Sequence, residues 1–298
     1  MGADVTLLSQ YVTSGLLTGF LYVLMGLGIT FIYSIMKMIN WAMGQFYMVG
    51  GYLQFLLVTH VVGIERWYLA VLISAATVFL LGLVLQPLLI KPMFRELAEN
   101  RDSYGTQITL GLFLFLTGAA LVFMGAQLRS PGTNVPNMML GVLPISGASF
   151  AASIGAIIAL ILFYVGLRYT WTGLALRAAS QSREGVQIAG INVYWIDAVA
   201  FGIGVALAGV AGALLAPVYM IYPTAGLIVT VKGFEIIVIG GLGSIKGTVI
   251  AGLALGLIEG LGSALISPGY QNVYGFVLLI LVLIFRPRGL FGERLRTV

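Results

Sequence analysis

The stretch Ala198-Val-Ala-Phe-Gly-Ile-Gly-Val-Ala-Leu-Ala-Gly-Val-Ala-Gly-Ala-Leu-Leu-Ala-Pro-Val-Tyr-Met-Ile-Tyr-Pro-Thr-Ala-Gly-Leu-Ile-Val-Thr-Val231 contains no Asp, Glu, Lys or Arg. About 20 apolar residues, at 1.5 Å rise each, cross the hydrocarbon core of a bilayer. This stretch is therefore long enough to cross, and it carries no charge that would hold it in water. Ser103 to Leu128 and Gly260 to Phe285 are equally free of charge. Over all 298 residues the chain is 60% hydrophobic and only 8% charged, roughly a third of the charged share of a soluble domain. It cannot cover itself with solvated side chains, so the sequence reads as a polytopic integral membrane protein.

Working outward, apolar blocks separated by Gly, Pro or charge predict spans near 13–35, 40–60, 67–90, 105–125, 149–168, 196–218, 247–265 and 272–286. A ninth segment, 227–242, is shorter and interrupted by Lys232, Glu235 and a glycine cluster, the pattern of a discontinuous or re-entrant helix. The expected fold is an all-α transmembrane bundle of eight or nine spans, including discontinuous helices, that forms a single domain over 1–298. Met1 to Gln10 lacks a basic leader and a small-residue cleavage site, so no removable signal peptide is expected.

Basic residues set the orientation. Ten of the 15 Lys and Arg fall in three places, Lys91, Arg95 and Arg101; Arg168, Arg177 and Arg183; and Arg286, Arg288, Arg294 and Arg296. These regions are expected in the cytoplasm, with the amino terminus outside and the carboxyl terminus inside. Both together require 227–242 to cross, which favours nine spans. The longest loop on the opposite side, Ala126 to Ala148, carries Pro131, Pro136 and Pro144 and is expected to form an irregular external cap.

Several chemistries are excluded. There is no cysteine, hence no disulfide or thiolate metal site, and a single histidine, His60, sits where an apolar block meets a loop. Neither a His-Glu-x-x-His, a Gly-x-Ser-x-Gly nor a phosphate-binding Gly-Lys-Ser/Thr loop occurs, so the chain does not hydrolyse ATP by itself. The net charge of +5 is explained by loop orientation, and no basic cluster interleaved with aromatics suggests nucleic acid.

Glycine is the informative residue, with 40 copies. Gly252, Gly256 and Gly260 fall on one helix face, as do Gly15 and Gly19, which lets backbones approach closely. The cluster Gly240-Gly241-Leu242-Gly243-Ser244-Ile245-Lys246-Gly247 instead breaks a helix. Glu235 and Glu259 lie in apolar surroundings. A charge there costs about 2.5 to 3.5 kcal/mol at a helix centre, so each faces protein or water. Either they line a pathway or they bond to backbone or to a neighbour such as Lys232. The most distinctive polar stretch runs from Arg168 to Asp197. Its core, Gly173 to Gly185, mixes Ala, Leu and Arg in a helix-compatible pattern, broken near Gly185 and resuming toward Gly190-Ile191-Asn192. It suits either a membrane-surface helix or a helix docking into a partner's groove.

Gly173-Leu-Ala-Leu-Arg-Ala followed by Gly190-Ile191-Asn192 resembles the cytoplasmic coupling loop of permease subunits in bacterial ATP-binding-cassette importers for branched-chain amino acids. Met38-Ile39-Asn40-Trp41-Ala42-Met43-Gly44-Gln45 resembles that family's Ile-Asn-aromatic-Ala-x-Gly segment, and Gly240-Gly241-Leu242-Gly243-Ser244 resembles its Gly-Gly-x-Gly-Ser signature. Met43 and Gln45 depart from the His and Glu that members often carry, which removes titratable groups from that segment. The resemblance covers Gly15 to Gly289 and is closest to the H-type of the two paralogous permeases.

It implies a non-catalytic permease in the bacterial cytoplasmic (inner) membrane, translocating leucine, isoleucine and valine without a cofactor. The implied partners are a paralogous permease (a heterodimer), two ATP-binding-cassette ATPases, and a periplasmic or extracytoplasmic solute-binding protein. Asn40, Trp41, Ala42, Gly44, Gln45, Glu235, Gly240, Gly241, Gly243 and Glu259 are the implied translocation pathway. Gly173, Leu174, Arg177, Ala178, Gly190 and Ile191, in a coupling loop at about 169–195, are implied to dock the ATPase. Urea, short amides or organic acids are alternative solutes in the same family, and a stand-alone secondary transporter or channel is the alternative from another class.

Overall fold

A computed structural model describes residues 2–94, 101–140 and 143–292. Arg95, Arg294 and Arg296, part of the orientation reading, lie outside the described residues, as does the side chain of Arg101. The chain is helical almost throughout: α1 (Gly2–Met36), α2 (Met43–Leu57), α3 (Trp67–Leu85), α4 (Arg101–Met124), α5 (Gly147–Tyr169), α6 (Trp171–Gln181), α7 (Arg183–Ile188), α8 (Val193–Tyr219), α9 (Ala225–Gly240), α10 (Ile245–Leu265) and α11 (Gln271–Phe285). Within the loop from Ala126 to Ala148, β1 (Met138–Leu140) and β2 (Leu143–Ile145) pair as an antiparallel hairpin, Met138 opposite Ile145.

Among the described residues, seven helical stretches are long and apolar enough to cross a bilayer: Ser9–Met36, Ile64–Ile90, Ser103–Met124, Gly147–Tyr169, Val193–Tyr219, Ile245–Leu265 and Pro268–Phe285. Two further segments are helical but are not among these seven. The 40–60 block is helical from Met43 to Val62, as α2 followed directly by a π turn (Val58–Val62), and is preceded by non-helical chain from Lys37 to Asn40 and a turn at Trp41 and Ala42. The 227–242 segment is the 16-residue α9, which runs unbroken through Lys232 and Glu235; the glycines end it rather than interrupt it. Lys232 and Glu235 sit one turn apart and pair with each other, so neither charge disturbs the helix.

Two helices form the interior. In α1 and α8, 78% and 72% of the most apolar window is buried by the rest of the chain, against 17% in α4 and in α5 and 6% in the stretch containing α11. α8 packs against α1, α2, α3 and α5, while α1 lies along α10. The α1–α10 contact is the glycine packing that the sequence suggests. Gly15 lies against the backbone of Gly256 and Gly260, and Gly19 against Gly252 and Leu253, so any side chain there would separate the two backbones.

Candidate functional site

Three constellations of polar residues stand out in the bundle. The first is the junction between α1 and α2. α1 stops at Met36, and Lys37 takes a left-handed conformation (φ 53°) that no helix continues. Asn40, buried, accepts from the Ala42 amide through Oδ1 (3.0 Å) and so shapes the turn into α2. The Trp41 amide donates to Thr109 Oγ1 of α4 (3.3 Å), and the Trp41 ring stacks on Phe234 of α9 at 4.8 Å. Gly44 meets Gly226 so closely that a Cβ would collide with the Gly226 carbonyl. Each is the second residue of its short helix, so the amino-terminal ends of α2 and α9 converge here. Thr230 ties them: its hydroxyl accepts from the Gly44 amide (3.1 Å) and donates to the Gly226 carbonyl (2.8 Å). Gln45 is 0% exposed, its amide lies against Gly226, and neither Oε1 nor Nε2 has a hydrogen-bond partner.

The second constellation lies further along α9. Lys232 pairs with Glu235 Oε2 (3.1 Å) and with Glu259 Oε1 of α10. Glu259 Oε2 accepts from Tyr22 Oη of α1 (2.8 Å) and from Gln271 Nε2 of α11 (3.0 Å). Gly275 of α11 leaves the space that Lys232 and Glu235 fill. One cation and two carboxylates thereby tie four helices in a region with almost no water contact. The bond to Lys232, one of the two readings open for these glutamates, is present for both.

The Gly240 cluster is apart from the junction, at the other end of α9. Gly240 packs on Gly247, while Gly241 and Gly243 take φ of 99° and 83° in the turn to α10. The chain after α11 closes over this turn, with Leu290 and Phe291 amides donating to the carbonyls of Ile239 (2.8 Å) and Gly240 (3.0 Å).

The third constellation is the segment between α5 and α8, ordered by local signals legible in the sequence. Thr170, Ser182 and Asn192 each cap a following helix, accepting from the amides of Gly173, Gly185 and Tyr194 at 3.0 Å. Gly190, at φ 77°, ends α7 with the Ile191 amide bonded back to Val186. The break falls at the Ser182 cap rather than near Gly185, because an N-cap residue is extended and Gly185 is then the third residue of α7. Ala175, Leu176, Ala179 and Val186 are buried, whereas Trp171, Leu174 and Ile188 are 63%, 57% and 88% exposed. Gly173 lies on the carbonyls of Gly166 and Leu167, which folds α6 back against the end of α5. Arg177, exposed, bonds the Arg168 carbonyl (3.3 Å), and Ala178 and Ile191 pack partly against the core.

Sequence reasoning missed what holds this segment to the bundle. Arg183 makes a two-pronged ion pair with Asp197 of α8 (3.0 and 2.6 Å), and its guanidinium also donates to the Ile35 carbonyl at the end of α1 (3.3 Å). Asp197 is fully buried. The signal was present: Asp197 is the only carboxylate between Glu184 and Glu235 and stands at the edge of the charge-free stretch Ala198–Val231.

The family model described as branched-chain amino acid transport system, permease component, matches residues 11–285. The high-affinity branched-chain amino acid transport system permease protein LivH of Salmonella typhimurium is 31% identical over 297 residues, 95% of each chain. The corresponding permease protein BraD of Pseudomonas aeruginosa is 32% identical over 293 residues, again 95% of each. A probable LivH of Methanocaldococcus jannaschii is 27% identical over 285 residues, 91% of this chain and 89% of that one. No solved structure matches the chain at a significant level.

Proposed function

The chain belongs to the permease family of branched-chain amino acid transport systems, and from that premise we propose that it is the membrane-spanning subunit through which leucine, isoleucine or valine enters the cell. Members are transport components rather than enzymes; ATP is hydrolysed by separate subunits, and a solute-binding protein delivers the amino acid. The chain is a multi-pass protein of the cytoplasmic membrane, with a paralogous permease beside it as a heterodimer. Counting α2 and α9 as crossings gives nine, with the amino terminus outside and α6, α7 and the carboxyl terminus in the cytoplasm.

The observation that carries the mechanism is the Arg183–Asp197 pair. Trp171, Leu174 and Ile188 offer an apolar face to an ATPase, with Arg177 beside it, and Gly173, Ala178, Gly190 and Ile191 set the shape that presents this face. Closure of the ATPases on ATP pushes that face, and the ion pair with its bond to Ile35 passes the push to α8 and α1. Those are the two interior helices, so they reshape a path beside Asn40, Trp41, Ala42, Gly44 and Gln45, opening it alternately toward either side. Glu235, Glu259, Gly240, Gly241 and Gly243 belong to the moving wall of the same path. Tagged chain, solubilised mildly from native membranes, tests this. Recovery of two ATPases and a second permease is expected, with hydrolysis stimulated by leucine-loaded binding protein and uptake competed by isoleucine but not urea. Uptake by the lone chain driven by an ion gradient would overturn it.

A further inference from the structure

α3 and α5 both pack on α8 and scarcely touch one another, which leaves a groove between them floored by α8. Apolar side chains line it almost throughout, and Ala76 of α3, Ala159 of α5 and Ala206 of α8 set it back from the surface. Along α5 it extends from Phe150 to Leu167, and it holds about 910 Å³. Those two residues lie about 25 Å apart along the helix, so the mean cross-section is about 36 Å² and the width about 6 to 7 Å. A helix with its side chains is about 10 to 12 Å across and stays outside such a slot. A hydrocarbon chain, whose carbons touch their neighbours at about 4 Å, fits within it. Water does not fill it, because the walls offer no hydrogen bonds along their length.

The two ends of the groove differ. Trp67 and Tyr68 line one, with amphipathic rings of the kind that sit at a bilayer surface. The other is lined by Thr170, Thr172 and Gly173, where α5 turns into α6. The Thr170 and Thr172 hydroxyls bond each other at 2.9 Å, and the exposed Arg177 guanidinium donates to the carbonyls of Gly173 (3.4 Å) and Arg168 (3.3 Å). Among the described residues neither Arg168 nor Arg177 pairs with a carboxylate. An apolar slot that ends on hydroxyls and a cation without a counter-charge is complementary to a lipid with an anionic headgroup. Such lipids give the cytoplasmic leaflet its negative surface.

We propose that the groove seats an anionic phospholipid of the cytoplasmic leaflet, with an acyl chain lying on α8 between α3 and α5 and the phosphate on Arg177 and Thr172. The leaflet follows from the orientation proposed above. Gly173 and Leu176 belong to the lining, so the lipid also braces α6 against the end of α5. The test uses the purified transporter complex, washed in detergent and exchanged into mixed phosphatidylglycerol and phosphatidylcholine, with the retained lipid counted by native mass spectrometry. Wild type is expected to retain phosphatidylglycerol about fivefold over phosphatidylcholine, the effect of one basic residue on an anionic headgroup. Ala206→Phe fills the floor and Ala76→Phe the wall, and each should lose both lipids. Ala76 is exposed, so its variant tests the groove even where the floor variant fails to fold. Arg177→Gln should keep a lipid but lose the preference between the two. In phosphatidylcholine nanodiscs, amide exchange over 171–181 should be faster than with phosphatidylglycerol present. Wild-type retention without preference overturns the proposal, as does wild-type retention in Ala76→Phe or an unchanged preference in Arg177→Gln. A cysteine placed at Ala76 of this cysteine-free chain that cross-links to a neighbouring subunit would make the groove a protein interface and overturn it as well.

Discussion

Lys232 is the cation that faces both Glu235 and Glu259 among the described residues. Removing one partner of a buried ion pair costs about 3 to 5 kcal/mol, because the other charge stays behind unpaired. Lys232→Met leaves two carboxylates facing each other, and thermal unfolding in detergent should show a large loss of stability. The triple change Lys232→Met, Glu235→Gln, Glu259→Gln should recover much of it, since no charge then remains to be compensated. Equal stability of the single and triple variants would mean that Lys232 acts through packing alone. Both glutamates were legible in the sequence as buried charges in need of a partner. Which partner Glu259 takes was not, because it sits in α10 whereas Lys232 is in α9, and only tertiary packing brings them together.

The elements on which the proposed mechanism rests are the short ones. α6 and α7 are specified locally, by capping Thr170, Ser182 and Asn192 and by Gly190; the sequence reading found a helix here but set its break near Gly185, three residues past the Ser182 cap. Their attachment is not local: Arg183 spans to Asp197 and Ile35. Asp197→Ala should therefore leave α6 and α7 helical but loosen them from α8, seen as faster amide exchange over 183–192 and reduced leucine uptake. Unchanged exchange would remove the pair from the coupling route. Arg177→Glu alters the proposed docking face and not the anchor. It should lower leucine uptake and recovery of the ATPases in a pull-down while the amide exchange of the segment stays at wild-type values. The discontinuity before α2 is a different case. The sequence separates the spans 13–35 and 40–60 there, but that α2 starts against α9 shows only once Gly44 is seen against Gly226, where a larger residue would drive α2 from α9. Gly44→Leu should abolish assembly of the complex, read as loss of the second permease from the purified chain.

At the scale of the whole molecule, the absence of cysteine makes topology directly measurable. With nine crossings, a cysteine at Gly132 should react with a membrane-impermeant maleimide in intact cells, and one at Glu184 only after the membrane is opened. Labelling of both from outside would refute the orientation. By itself the sequence determined that the chain lives in a bilayer, which segments form helices, and where a polar segment interrupts them, because those follow from apolar length and charge position. It could not say which helices are inside. α4 and α8 have nearly the same mean hydropathy, 2.0 and 2.2, yet 17% of one window and 72% of the other is buried in protein. Lipid and a neighbouring helix are equally apolar, so hydropathy does not distinguish a face turned to one from a face turned to the other. The convergence of α2 with α9, the pairing of Lys232 with Glu259 and the tie from Arg183 to Asp197 depend on that arrangement, and only the tertiary structure decided it.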